Sequence, residues 1–126
     1  MSFEAPPSSF FKPLGYNDSV RFNPPGERAM IIAEFSIFPT SEGSSVSRYV
    51  KEVIKIIENS GLRSETGAMS TIIEAPDLAS LLRVVSDCHQ KLIEMGARRI
   101  HLDLRIDHRL DREATIDTKL KAVGKR

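Results

Sequence analysis

From Met30 to Phe38 the chain reads Met-Ile-Ile-Ala-Glu-Phe-Ser-Ile-Phe, and Pro39 follows. A short run rich in β-branched and aromatic residues predicts a buried strand. Side chains alternate along a strand, so Ile31, Ala33, Phe35 and Ile37 share one face and Ile32, Glu34, Ser36 and Phe38 the other. Thr40 to Ser45 is a loop, with Ser44 or Ser45 suited to cap a helix. Val46, Tyr49, Val50, Val53, Ile54 and Ile57 then recur at helical spacing, which predicts a helix from Val46 to about Asn59. Gly61 supplies its left-handed stop. Leu62 to Thr66 and Ala68 to Ala75, on either side of Gly67, predict a hairpin, with Met69, Thr71 and Ile73 on its helix-facing side. Pro76-Asp77 opens a second helix with Asp77 as its cap. Leu78, Leu81, Leu82, Val85, Cys88, Leu92 and Met95 form its apolar face, and Gly96 ends it. From Ala97 to Asp107 the alternation is strict: Ile100, Leu102, Leu104 and Ile106 against His101, Asp103, Arg105 and Asp107. That is the pattern of a half-buried strand. A short third helix is expected over Thr115 to Val123, on Ile116, Leu120 and Val123.

The predicted order is β-α-β-β-α-β plus a C-terminal helix, the ferredoxin-like split βαβ plan of an α+β protein. Two helices cover one face of a four-stranded antiparallel sheet, and the first strand lies between the third and fourth. The other face stays open. It carries Glu34 and Ser36, then His101, Asp103 and Arg105, with Ser70, Ile72 and Glu74 beside them. A mixed face of this kind is expected to be buried by association or used for a ligand.

Composition sets the boundaries. Five of the 7 prolines and five of the eight Phe and Tyr residues fall in residues 1–29, where no regular periodicity holds. Residues 1–29 are therefore expected to be a flexible leader or a docking arm on Phe10, Phe11 and Phe22, and residues 30–126 the domain. A start at Met30 is the other reading, and a targeting peptide is disfavoured by the missing apolar stretch. Hydrophobic residues make up 40% and charged residues 28% of the chain, enough for a core. The formal net charge of +1 gives no broad electrostatic reason to expect a nucleic acid or an anionic membrane as partner. No apolar run reaches the ~18 residues that span a bilayer. A single cysteine, Cys88, rules out an internal disulfide and a cysteine-built zinc site, and a cytoplasmic location is the default.

Candidate chemistry is sparse. His101, Asp103 and Asp107 share a strand face, but Arg105 stands among them and would repel a cation, so no metal site is expected. Cys88 falls on the apolar stripe of its helix and reads as a small core residue. The third strand lacks the aromatics on which RNA-recognition domains stack bases. What remains is polar and could serve a small molecule. Ser44, Ser45 and Ser47 cluster at a helix start; Thr71 stands between apolar neighbours, either as a core threonine with a backbone partner or as a hydroxyl lining a pocket between the first helix and the sheet; Glu34 lies on a central strand, where a carboxylate needs a partner. That partner is an arginine such as Arg105, or a cationic ligand.

Several stretches, in order, resemble the YkoF-like family of small thiamine-binding proteins. Ala33-Glu34-Phe35-Ser36-Ile37-Phe38-Pro39 is similar to the family's first strand and closing proline. Ser45-Val46-Ser47 resembles its Ser-x-Ser helix opening, and Met69-Ser70-Thr71-Ile72-Ile73-Glu74 its Met-Gly-Thr-x-x-Glu strand. His89 and Gly96 fit its second helix, Arg105-Ile106-Asp107 its last strand, and Thr115 and Lys119 its terminal segment. Ser70 stands where the family has Gly, and Asp103 where it often has Thr. The resemblance implies a ferredoxin-like fold that assembles into dimers and tetramers. It implies binding of thiamine, or of its hydroxymethylpyrimidine part, without chemistry and with no separate cofactor. A carboxylate, Glu34 or Glu74, would offset the ligand's positive charge, and Ser47 and Thr71 would read its pyrimidine edge; Ser45 and Asp103 complete the expected ligand-binding residues. Two other readings stay open: an oligomeric regulatory or scaffold protein with no small ligand, and a small enzyme using the open polar face.

Overall fold

The computed structural model describes residues 29–126; the leader expected over residues 1–29 lies, apart from Ala29, outside the described residues. The elements run β1 (Ile31–Pro39), α1 (Ser47–Glu58), β2 (Ser64–Thr66), β3 (Thr71–Ala75), α2 (Leu78–Glu94), β4 (Ile100–His108) and α3 (Ile116–Ala122). The four strands form one sheet in the order β2-β3-β1-β4, and every neighbouring pair is antiparallel. This is the α+β, ferredoxin-like arrangement that the order of elements predicts, with β1 between β3 and β4.

The core lies between the sheet and the pair α1 and α2. Ile31, Ala33, Phe35 and Ile37 of β1 are all buried there, against Tyr49, Val53 and Ile57 of α1 and Leu81, Val84, Val85, Cys88 and Leu92 of α2. Fully burying one such aliphatic or aromatic side chain is worth about 1.5–3 kcal/mol, so this face of β1 fixes the register of the whole sheet. Cys88 packs within that layer, 3.9 Å from the Val53 carbonyl, and burial pushes its thiol up to about 12. A thiol held protonated in this way is a packing group at neutral pH.

Five local expectations are corrected. Neither Ser44 nor Ser45 caps α1; Val46 takes the N-cap and no side chain caps that end. Val46 packs against the core, which places it at the helix entry and leaves both serines exposed. The hairpin turn occupies residues 67–70, closed by the Gly67 N–H donating to the Ser70 carbonyl at 2.9 Å. Met69 therefore sits at the tip, 88% exposed, and not on the helix-facing side. Along α2, Val84 and Ser80 are buried while Leu78 and Leu82 are exposed, so the buried stripe is rotated from the one expected. In α3, Ile116 is buried, but Val123 is exposed at the helix end. Finally, β4 is less buried than its alternation suggests. Leu102 and Ile106 remain 38% and 41% exposed, because β4 is an edge strand while α1 packs over β1 and β2 and α2 over β1 and β3.

Candidate functional site

The open face of the sheet is built by the odd-numbered side chains of β4 and the even-numbered ones of β1. In register, Phe38 stands opposite His101, Ser36 opposite Asp103, Glu34 opposite Arg105 and Ile32 opposite Asp107. On the other side of β1, Glu34 is level with Ile72 and Ile32 with Glu74. The two ladders together lay one row of polar and charged groups along the middle of this face, with Ile32 and Ile72 as its apolar floor.

Glu34 is the centre of that row. Its Oε2 accepts from the Ser70 hydroxyl at 3.2 Å, and its Oε1 lies 3.5 Å from the Arg105 guanidinium. The Arg105 side chain is 85% exposed and that of Glu34 45%, so this ion pair is loose and solvated. Shallow hollows of about 280 and 260 Å³ lie on either side of the pair. One reaches Ile32, Asp107 and Lys119; the other reaches Ser36, Met69, Ser70 and Asp103. They form one trough with the Glu34–Arg105 pair across its middle. Farther along, Asp103 meets His101 at 2.7 Å, and the His101 ring stacks on Phe38 with centroids 5.2 Å apart. Among the described residues, no group of three or more His, Cys, Asp or Glu side chains is placed to hold a metal ion.

The end of the open face is covered by α3. Thr115 caps this helix, accepting from the Thr118 N–H at 3.0 Å, and the side chain of Thr118 returns the bond. Arg63 and Asp117 form a two-bond ion pair at 2.7 and 3.1 Å, Arg126 bridges Asp117 to Glu65, and Lys119 meets Asp107. The hydrogen bonds from Arg63 and Arg126 hold the Asp117 carboxyl at about 2. The Lys119 ammonium likewise lowers that of Asp107. Glu74 lies beneath this cover, 4% exposed. Its Oε2 is 3.3 Å from Arg63 but makes no hydrogen bond. Burial raises the Glu74 pKa, opposed by the Arg63 charge and by the backbone of Ile116.

The six residues singled out from the sequence thus occupy three places. Glu34 and Asp103 share the trough. Glu74 lies on the same face but under α3. Thr71 is buried, its hydroxyl 3.4 Å from that of Thr66, while Ser45 and Ser47 are exposed at the start of α1. Sequence reasoning missed the cover and its cations, Arg63 and Lys119. The available signal was the clustering of Asp117, Lys119 and Lys121 beside the buried Ile116.

Comparison with known proteins follows the same lines. A family model described as thiamine-binding protein matches residues 33–124. A UPF0045 protein of Methanocaldococcus jannaschii is 40% identical over 94 residues, covering 75% of this chain and 92% of that one. The UPF0045 protein YqgV of Bacillus subtilis is 34% identical over 101 residues, covering 76% and 96%. The crystal structure of the Methanocaldococcus jannaschii protein superposes with a TM-score of 0.70 over 76% of this chain and 97% of that one, at 40% identity. A Thermotoga maritima protein, described as a candidate in thiamine biosynthesis or salvage, shares the fold with a TM-score of 0.64 at 22% identity, over 74% of this chain and 97% of that one. No helix among the described residues is long and apolar enough to cross a membrane. Over residues 33–124 the chain belongs to the thiamine-binding protein family.

Proposed function

We propose that this protein binds thiamine or its hydroxymethylpyrimidine part reversibly, without chemistry, as a homo-oligomer in the cytoplasm. The family match over residues 33–124 carries the reading. The open-face trough supports it chemically. Thiamine has a fixed positive charge on its thiazolium ring and an aminopyrimidine that donates and accepts hydrogen bonds. Glu34 offers a carboxylate whose cationic partner, Arg105, is held only by a solvent-exposed ion pair that a ligand can displace. Ile32 and Ile72 offer apolar surface to the ring faces, and Ser36, Ser70 and Asp103 polar groups to the pyrimidine edge. Of the six residues named from the sequence, Glu34 and Asp103 are assigned to the ligand directly. Glu74 lies beneath α3 beside Arg63 and is assigned no direct contact with the ligand. Ser45, Ser47 and Thr71 belong to the alternative seat between α1 and the sheet.

A thermal-shift screen tests the reading. At a hundred times its dissociation constant, thiamine stabilises a protein that binds it by about 2.7 kcal/mol, a shift of several degrees for a chain of this size. No shift with thiamine and none with hydroxymethylpyrimidine contradicts it.

A further inference from the structure

α3 lies across one row of the open face. Arg63, just before β2, is level with Glu74, whose N–H donates to the Arg63 carbonyl at 2.9 Å. Glu74 is level with Ile32, and Ile32 with Asp107. The row across the sheet is therefore Arg63, Glu74, Ile32 and Asp107. α3 grips both of its ends. Asp117 pairs with Arg63 and Lys119 with Asp107, while Arg126 ties Asp117 to Glu65 on the next row. From Ile116 onward the chain carries Lys119, Lys121, Lys125 and Arg126 against Asp117 alone. The face beneath and beside it carries Glu34, Glu65, Glu74 and Asp107 against Arg63 and Arg105. A basic segment thus covers an acidic face.

The grip is weak. Among the described residues α3 has no extended backbone packing against any strand or helix, and of its own side chains only Ile116 is buried. Its ion pairs all join partly exposed groups, each of which contributes little. A seven-residue helix does not hold itself together in water. The start of the helix, in contrast, is fixed. The Ala114 N–H donates to the Ala29 carbonyl at 2.8 Å, Ala114 is buried, and the Thr115–Thr118 capping box begins the helix there. An anchored hinge followed by a lightly held arm is the kind of element that opens locally. Closure also carries its own opposition. Glu74 is 4% exposed, its Oε2 has no hydrogen bond, and Asp117 and Glu113 repel its charge while Arg63 attracts it. A buried carboxylate short of partners favours any state that returns it to water.

We propose that α3 is a lid that competes with a cationic ligand for the open face. Closed, it seats Lys119 on Asp107 at the wall of the hollow that reaches Ile32 and Glu34. Lifted about the Thr115 hinge, it removes that ammonium, widens the hollow over Ile32 and returns Asp107 and Glu74 to solvent as free negative charges. The ligand's cation and the chain's own exclude one another, and each weakens the other's hold by the same factor. This control rests on the reading of the open face as the seat of an organic cation.

Amide hydrogen exchange at residues 116–122, measured with thiamine titration on the full chain, tests it. Saturating thiamine should speed exchange at these residues of the wild type by about fivefold, where a ligand that merely stabilises the fold would slow it. Asp117→Asn should speed the same amides without thiamine and tighten thiamine binding by about fivefold. The sign is diagnostic, because Asp117→Asn removes a negative charge, and charge alone would weaken the hold on a cation. Glu74→Gln should slow exchange at 116–122, since the buried charge that opposes closure is gone. Thiamine that binds and leaves exchange at 116–122 unchanged or slower overturns the lid. So does equal or weaker binding in Asp117→Asn while its α3 exchange rises. Thiamine that binds neither form, whatever α3 does, overturns instead the reading of the open face as its seat, and the competition falls with it.

Discussion

Glu34 on β1 and Arg105 on β4 face each other across the ladder, and their charged ends meet at 3.5 Å in the middle of the open sheet face. The pair divides a trough that is otherwise continuous. A chain cation therefore rests where the proposed ligand would bring its own. Exposed pairs of this sort contribute about 0–1 kcal/mol, which a bound cation in better contact can exceed. Removing Arg105 should expose the Glu34 carboxylate to the ligand. Arg105→Ala is expected to tighten thiamine binding by up to about fivefold. A loss of affinity in titration calorimetry would show that the guanidinium itself contacts the ligand.

The cover of the open face should be released by acid. Asp117 is held at about 2, below its ordinary 3.8, by Arg63 and then Arg126. A carboxyl with a lowered folded-state pKa stabilises the fold above its unfolded value and loses that contribution as pH falls through the folded one. The attachment of α3 should thus weaken from about pH 4 toward about pH 2. Amide exchange at residues 116–122 should rise over that window, and Asp117→Asn should give fast exchange already at neutral pH. An unchanged profile in Asp117→Asn would contradict the account.

Glu74 should behave in the opposite sense. Burial raises its pKa despite the nearby Arg63, so its charged form costs stability, and that cost is relieved as pH falls through the raised value. Glu74→Gln keeps the shape and removes the charge. At pH 7 it should leave stability unchanged or raise it by up to about 1 kcal/mol. A loss of several kcal/mol in urea unfolding would make the Arg63–Glu74 contact a dominant attraction instead.

The start of α2 rests on one side chain. Asp77 Oδ1 accepts from both the backbone N–H and the hydroxyl of Ser80, each at 2.7 Å. Asp77→Ala should cost about 0.5–2 kcal/mol in chemical denaturation. Ser45→Ala should cost close to nothing, because no side chain caps α1.

The sequence and the structure agree where local pattern and burial coincide. The inward face of β1, the Asp77 cap and the stop at Gly61 were legible because each depends on neighbours a few residues away. Met69 and Val46 were misread for local reasons: a turn from 67 to 70 replaced strand, and apolar packing displaced a serine from the N-cap. The half-exposure of Leu102 and Ile106 was out of reach, since alternation reveals which side of a strand is apolar but not whether a helix lies over it. The trough was partly legible, through the odd and even positions of β1 and β4. The burial of Glu74 was not, because it depends on α3 crossing from the far end of the chain to meet Arg63.

The central claim is that Glu34 receives the ligand's positive charge in the open-face trough. Titration calorimetry of thiamine into the wild type, Glu34→Gln and the double variant Ser47→Ala/Thr71→Val tests it most directly. The account predicts saturable binding to the wild type, a loss of about tenfold or more in Glu34→Gln, corresponding to about 1.4 kcal/mol, and near-wild-type binding in the double variant. Unchanged affinity in Glu34→Gln with loss in the double variant would move the ligand to the seat between α1 and the sheet. No heat with the wild-type protein would contradict ligand binding altogether.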